Sequence, residues 1–241
     1  MQQLPLRVRL GEAARFGGFI AGPNAEVVNL LTGASPPRVL WLWGRAGTGK
    51  THLLQAACAA ASAAGGVATY LDLEAGGAPA MLDGCETLDL VCIDALDRAS
   101  GDADWNAAIF RLYTLMQDAP GRLYVASTAP PASLRFRLPD LRSRLLAAPV
   151  YQLHELDEDG QVAALELRAS RRGLELSREA AAWLVHRMPR DMRSLCGVLD
   201  RLDEAALAAQ RRLTVPFLRQ VLEGPVQAPA ESLPAVGAAA A

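Results

Sequence analysis

The chain has 241 residues, enough for one large domain or a large one with a small companion, and 51% of them are hydrophobic, so a substantial core is available. A formal net charge of −2 and a sequence pI near 6.0 argue against a surface that grips nucleic acid along its length. No run approaches ~18 consecutive apolar residues, and the start lacks a basic segment followed by an apolar one, so neither a membrane span nor a secretory leader is expected.

In chain order, the first feature is QLPLRV, Gln3–Val8, where Leu4, Leu6, Val8 and then Leu10 alternate with other residues up to Gly11. The residues alone leave three readings open: a frayed end, an edge strand, or a peptide shaped for another protein's pocket. From Arg38 to about Leu153, short apolar runs alternate with helical patterns. The runs are VLWLW (39–43), VATYLDL (67–73), LDLVCID (88–94), RLYVAST (122–128) and VYQLHEL (150–156). Continuous apolar runs of this length predict strands buried on both faces, as in a parallel sheet. Between them, HLLQAACAAASAAG predicts an Ala-rich helix ending at Gly65, and DWNAAIFRLYTLMQDAPG one stopped by Pro120-Gly121. Alternating strands and helices predict an α/β domain with covered sheet faces.

After about Glu155 the pattern turns helical. LDEDGQVAALELRASRRG predicts a helix with Asp157 as cap and Gly173 as stop. SREAAAWLVHRM has Ser177 as N-cap, and RDMRSLCGVLDRLDEAALAAQRR follows Pro189. LTVPFLRQVLEG closes the series, with Thr214 as cap and Pro216 in the first turn. Four helices without strands predict a small all-α bundle of about 65 residues. The Pro/Ala-rich segment from Pro225 has no amphipathic pattern and is expected to be disordered. Cys58, Cys85, Cys92 and Cys196 are scattered without metal-like pairs. Cys58 and Cys92 sit in apolar runs and read as small core residues, which suits a reducing cytoplasm.

The sharpest motif is GRAGTGKT, Gly44–Thr51, placed after an apolar strand and opening a helix. Backbone N–H groups of Gly44, Arg45, Ala46, Gly47, Thr48 and Gly49 can wrap a phosphate there. Lys50 reaches the β/γ oxygens, and the Thr51 hydroxyl ligates Mg²⁺. The carboxylate that helps hold Mg²⁺ should end a neighbouring buried strand, and LDLVCID supplies Asp94. Ala95 follows, where a hydrolytic enzyme would need a second carboxylate to orient water. Asp97 lies too far past the strand end to replace it.

With those residues in place, further segments resemble the DnaA-related AAA+ family. RFGGFIAGPNAEVVNLL (15–31) resembles its F-x-x-F-x-x-G-x-x-N segment, which packs around adenine. LPDLRSRLLAAPV (138–150) resembles its arginine-finger segment, and MPRDMRSLCGVLDRL (188–202) its sensor 2 segment. Within that family the chain is similar to the Hda group, regulatory inactivators of DnaA. The sequence stops after the helical bundle without a basic DNA-binding domain, and QLPLRV resembles the group's clamp-binding motif, with Arg7 and Val8 departing from it.

The resemblance implies an organisation of clamp-binding peptide (1–12), AAA+ α/β domain (13–156), helical lid (157–224) and disordered tail (225–241). It implies ADP or ATP with Mg²⁺, and an adenine pocket lined by Phe16, Phe19, Ile20 and Asn24. Thr128 falls at sensor 1, Arg193 at sensor 2, and Arg144 at an arginine finger acting in trans. Implied partners are DnaA and the β sliding clamp of DNA polymerase III, the latter met by Gln3, Leu4, Leu6 and Val8. Direct DNA contact is expected to be weak at most, no membrane partner is expected, and self-association through the finger surface is left open. The implied activity is stimulation of ATP hydrolysis on DnaA, which limits replication initiation. The rival readings are an autonomous AAA+ ATPase of the helicase-loader kind and a non-catalytic DnaA/clamp adaptor.

Overall fold

In a computed structural model, residues 14–189, 191–209 and 213–223 are described; the expected peptide over 1–12 and tail over 225–241 lie outside the described residues. The five apolar runs form one parallel sheet, with strands β1 (Val39–Trp43), β2 (Ala68–Asp72), β3 (Leu90–Asp94), β4 (Arg122–Ser127) and β5 (Val150–Gln152) in the order β2-β3-β4-β1-β5. Alternate residues of the central strands point to opposite faces. Trp41, Val91, Ile93, Leu123 and Val125 face one core, shared with Ile109 and Leu112 of α3 (Ala103–Asp118) and Leu141 and Leu145 of α4 (Pro139–Leu146). Leu40, Leu42, Leu90, Cys92, Tyr124 and Ala126 face the other, shared with Val27 and Leu31 of α1 (Ala25–Thr32) and Leu53, Leu54 and Cys58 of α2 (Lys50–Ala63). Two covered faces are why β3 carries no exposed residue at all.

The fifth run departs from the expectation. Read as a strand over 150–156, it pairs only over Val150–Gln152, and Val150 is 37% exposed. β5 is an edge with a single neighbour, so it needs no unbroken apolar run. Leu153 still donates its N–H to the Trp43 carbonyl at 2.7 Å, which holds the strand's exit beside the end of β1.

Polar residues fix the helix ends. The Asp102 carboxylate accepts from the N–H groups of Asp104 and Trp105 at the start of α3. At its end, the Arg38 guanidinium donates to the carbonyls of Met116, Gln117 and Ala119, satisfying groups that Pro120 prevents the helix from bonding itself.

The four C-terminal helices are α5 (Glu158–Arg171), α6 (Arg178–Arg187), α7 (Met192–Ala209) and α8 (Val215–Glu223). Asp157 caps α5 through Gly160 N–H at 2.9 Å, and Ser177 caps α6 through Ala180 N–H at 3.2 Å. Leu165, Leu184, Leu195, Leu199, Leu202 and Leu218, all fully buried, form their core. The bundle is not purely helical: Leu176 and Leu213 form a lone parallel β-bridge that ties the α5–α6 connection to the segment before α8. Among the described residues no helix is long and apolar enough to cross a membrane.

Candidate functional site

The sheet presents its strand ends to one place. β1 runs into Gly44, whose N–H bonds the Ser127 carbonyl at the end of β4 at 3.3 Å, and the loop then turns into α2 at Lys50. Gly49 makes that turn at φ +94, and a Cβ there would lie 2.5 Å from the Phe19 ring. Both the left-handed backbone and the close ring exclude a side chain, so glycine is required. Phe19 in turn lies 5.5 Å from the His52 ring, and His52 Nε2 is 3.0 Å from the Arg15 carbonyl. Burial pulls the His52 pKa below its ordinary value, with Arg168 and Arg171 adding to the effect and the Arg15 carbonyl opposing it.

Lys50 is buried at 8% exposure, with its ammonium donating to the carbonyls of Gly44 and Arg45 at 2.6 and 2.8 Å. Its pKa is lowered by burial, against the opposing pull of Asp94 and Asp97; the charge of Arg193 lowers it further. The lysine therefore spans the concave side of the loop, where a phosphate would meet loop N–H groups and a cation together.

Asp94 ends β3 beside this loop. Its Oδ2 accepts from the Thr51 hydroxyl at 2.6 Å and from the Tyr70 hydroxyl at 2.9 Å, while Oδ1 accepts from Ala95 N–H at 2.8 Å. Ala95 stands at φ 55 and is the single non-glycine with positive φ among the described residues. Such a conformation costs about 1–3 kcal/mol, and it turns the chain sharply off the strand. The Ala95 methyl side chain offers no oxygen or nitrogen beside Asp94.

Asp97 serves a different purpose: its carboxylate accepts both the N–H and the hydroxyl of Thr128, each at 3.0 Å. This pair joins the turn after β3 to the end of β4 and engages the Thr128 hydroxyl within the protein.

Thr51 and Asp94 together offer hard oxygen ligands that suit Mg²⁺. Among the described residues no cluster of three His, Cys, Asp or Glu could hold a metal unaided, so such a cation would complete its shell with nucleotide phosphates and water. The donor set fits a nucleotide-borne Mg²⁺.

The remaining expected residues distribute as follows. Phe16 and Phe19 are half-buried against the core between α1, α2 and the sheet, and Ile20 is half-buried beside them. Asn24 is 4% exposed; its amide donates to the His154 carbonyl at 2.9 Å and accepts His154 N–H at 2.8 Å. That two-way pair pins the start of α1 to the exit of β5.

Exposed Arg193 lies in the first turn of α7, which abuts the phosphate loop: a Cβ on Gly47 would meet Asp191 Cβ and Met192 N at 3.3 Å. Asp191 caps this helix through Ser194 N–H at 2.8 Å, a bond that lowers its pKa. Arg144 sits on α4, exposed, with its guanidinium 5.0 Å from the Phe110 ring centroid and 5.7 Å from that of Tyr113. Gln3, Leu4, Leu6 and Val8 fall outside the described residues.

Sequence reasoning passed over Tyr70, Asp191 and the Asp97–Thr128 pair. A lone tyrosine in a strand carries no motif, and only the β2–β3 register brings it to Asp94.

The bundle matches the family model described as "Hda, lid domain" over residues 157–222. In three dimensions the chain is similar to domain III of the Thermotoga maritima replication initiation protein DnaA, with a TM-score of 0.76, 17% identity, and coverage of 92% of this chain and all of that one. It is also similar to a DnaA bound to AMPPCP and single-stranded DNA (TM-score 0.67, 21% identity, covering 84% of this chain and 70% of that one). AMPPCP-bound DnaA from Aquifex aeolicus gives a TM-score of 0.65 at 22% identity, covering 80% of this chain but 65% of that one. At these identities the likeness is one of fold, a parallel sheet followed by a helical lid.

Proposed function

We propose that this chain, a DnaA-related AAA+ protein with an Hda-type lid, holds an adenine nucleotide in its own loop and acts on the nucleotide of a neighbour. The observation that carries the reading is the combination of an intact phosphate loop with Ala95 beside the cation carboxylate, under a lid of the Hda type. Gly44–Gly49 and Lys50 would take the phosphates, Thr51 and Asp94 the Mg²⁺, and Phe16, Phe19 and Ile20 the base. Arg193 would approach from the lid. Mg²⁺, when bound, neutralises phosphate charge; the chain's own residues orient that phosphate and exclude water. With Ala95 unable to steer a water molecule, intrinsic turnover is slow; ADP as the resting ligand follows from the resemblance to the Hda group and not from Ala95.

Arg144 would then be the chain's contribution to a partner. A guanidinium delivered across an interface stabilises charge developing on a transferred phosphoryl group, worth roughly 10³–10⁵ in rate. The partner is DnaA carrying ATP, and the outcome is suppression of repeated initiation. Residues 1–12 would moor the chain to the sliding clamp through Gln3, Leu4, Leu6 and Val8, with Gln3 in a polar pocket and Leu6 and Val8 in an apolar one. Two weak contacts on one scaffold raise the effective concentration of the second to about millimolar.

The test is a reconstituted mixture of clamp-loaded DNA, ATP-DnaA and this protein. Arg144→Ala should keep ADP and clamp binding while losing stimulated hydrolysis. Rapid ATP turnover by the isolated protein, or full stimulation by Arg144→Ala, would reject the reading.

A further inference from the structure

We propose that Tyr70 is a positioning residue for the cation end of the site, and that its hydroxyl fixes Asp94 so that Thr51 is presented to Mg²⁺. The inference rests on reading Gly44–Thr51 and Asp94 as the nucleotide and cation site. It begins with strand register. β2 and β3 pair in parallel with Tyr70 opposite Cys92 and Asp72 opposite Asp94. Cys92 and Asp94 share a face, so Tyr70 projects on that same face, one diagonal step behind the carboxylate. A tyrosine side chain spans that step, and its hydroxyl reaches Asp94 Oδ2 at 2.9 Å. An ionised carboxylate only accepts, so the phenol is the donor in this bond.

The hydrogen-bond capacity of the carboxylate then gives the consequence. A carboxylate has about four lone-pair positions. Tyr70 and Thr51 occupy both on Oδ2, and Ala95 N–H takes one on Oδ1. One position on Oδ1 is left to face the cation's shell. The Thr51 hydroxyl, donating its proton at 2.6 Å, keeps its lone pairs turned to the phosphate side. Removing the tyrosine hydroxyl frees the carboxylate to rotate and releases the threonine proton from its fixed acceptor. Partners of this kind behind a metal ligand typically contribute about 10–100-fold to metal affinity.

The experiment uses the full-length chain, a fluorescent ADP analogue and a Mg²⁺ titration, comparing wild type, Tyr70→Phe and Asp94→Asn. Phenylalanine keeps the ring and its packing, and a thermal melt in EDTA checks that the fold is retained. Expected for Tyr70→Phe is an unchanged analogue affinity in EDTA, with the Mg²⁺ concentration at half-effect raised about tenfold. An unmoved Mg²⁺ curve in Tyr70→Phe, with Asp94→Asn clearly impaired, overturns the role of Tyr70 alone. Equal weakening with and without Mg²⁺ overturns it too, because a merely structural residue behaves that way. Should wild type and Asp94→Asn respond identically to Mg²⁺, the cation-site reading falls first and this inference with it.

Discussion

Asn24 illustrates how one buried amide can be required for the fold at a position expected to serve a ligand. Its two bonds to the His154 backbone link segments 130 residues apart. Asn24→Ala removes both and strands two backbone groups, which should cost about 1–3 kcal/mol. Urea denaturation should show a lower midpoint at unchanged slope, with nucleotide affinity measured well below that midpoint largely retained. His52 makes a pH-dependent counterpart. Its folded pKa lies below the ordinary 6.5, so the unfolded chain binds more protons over that interval. Stability from this group is therefore complete above about pH 6.5 and is lost as the pH falls towards the folded value. The urea midpoint of wild type should drop on acidification through this range, and that of His52→Gln should drop less. A drop of equal size in both would show that other groups carry the effect.

The elements differ in how plainly the sequence announces them, and burial explains the difference. β1, β3 and β4 read as nearly continuous apolar runs because helices cover both sheet faces, whereas the edge strands β2 and β5 are only partly buried and β5 shares the composition of the loop that follows it. α5 and α6 are announced by Asp157 and Ser177, residues whose side chains bond the first turn. α1 and α4 span eight residues each and offer two turns of periodicity, too little to stand out from the motifs that contain them. The Leu176–Leu213 bridge was illegible because a single non-local pair has no local signal. The phosphate loop was legible because its glycines are a backbone requirement; Tyr70 and Asp97 were not, because their roles arise only from strand register and turn geometry. The bundle core yields a prediction at this scale. Leu165 and Leu199 are fully buried at its centre, so truncating either to alanine should cost about 2–5 kcal/mol. Calorimetry should register this as a lower melting temperature without nucleotide, and an unchanged melt would mean that the bundle relaxes into the space.

At the scale of the molecule, the proposed nucleotide site in the α/β domain has a structural route to the lid. The contact at Gly47 supplies it: its φ of +83 strains any other residue, and a Cβ would crowd Asp191 and Met192 at 3.3 Å. The start of α7 therefore rests on the loop itself, with Arg45 and Glu155 forming an exposed ion pair nearby at 3.5 Å that adds little. A ligand bound by the loop should stabilise both domains as one cooperative unit, by about 2.7 kcal/mol at a concentration 100 times its Kd. Gly47→Ala places a methyl group against α7 and forces alanine into a left-handed conformation, at a cost of about 1–2 kcal/mol. If ligand binding requires the loop to keep this conformation against α7, strain of that size corresponds to about a tenfold loss of affinity. Titrated with ADP, wild type should melt in a single transition that rises with ligand. The Gly47→Ala protein should show a smaller rise at equal ligand, with the lid helices released at a lower temperature than the sheet. A variant that binds ADP as tightly as wild type and melts as one unit would show that α7 touches the loop without being coupled to it.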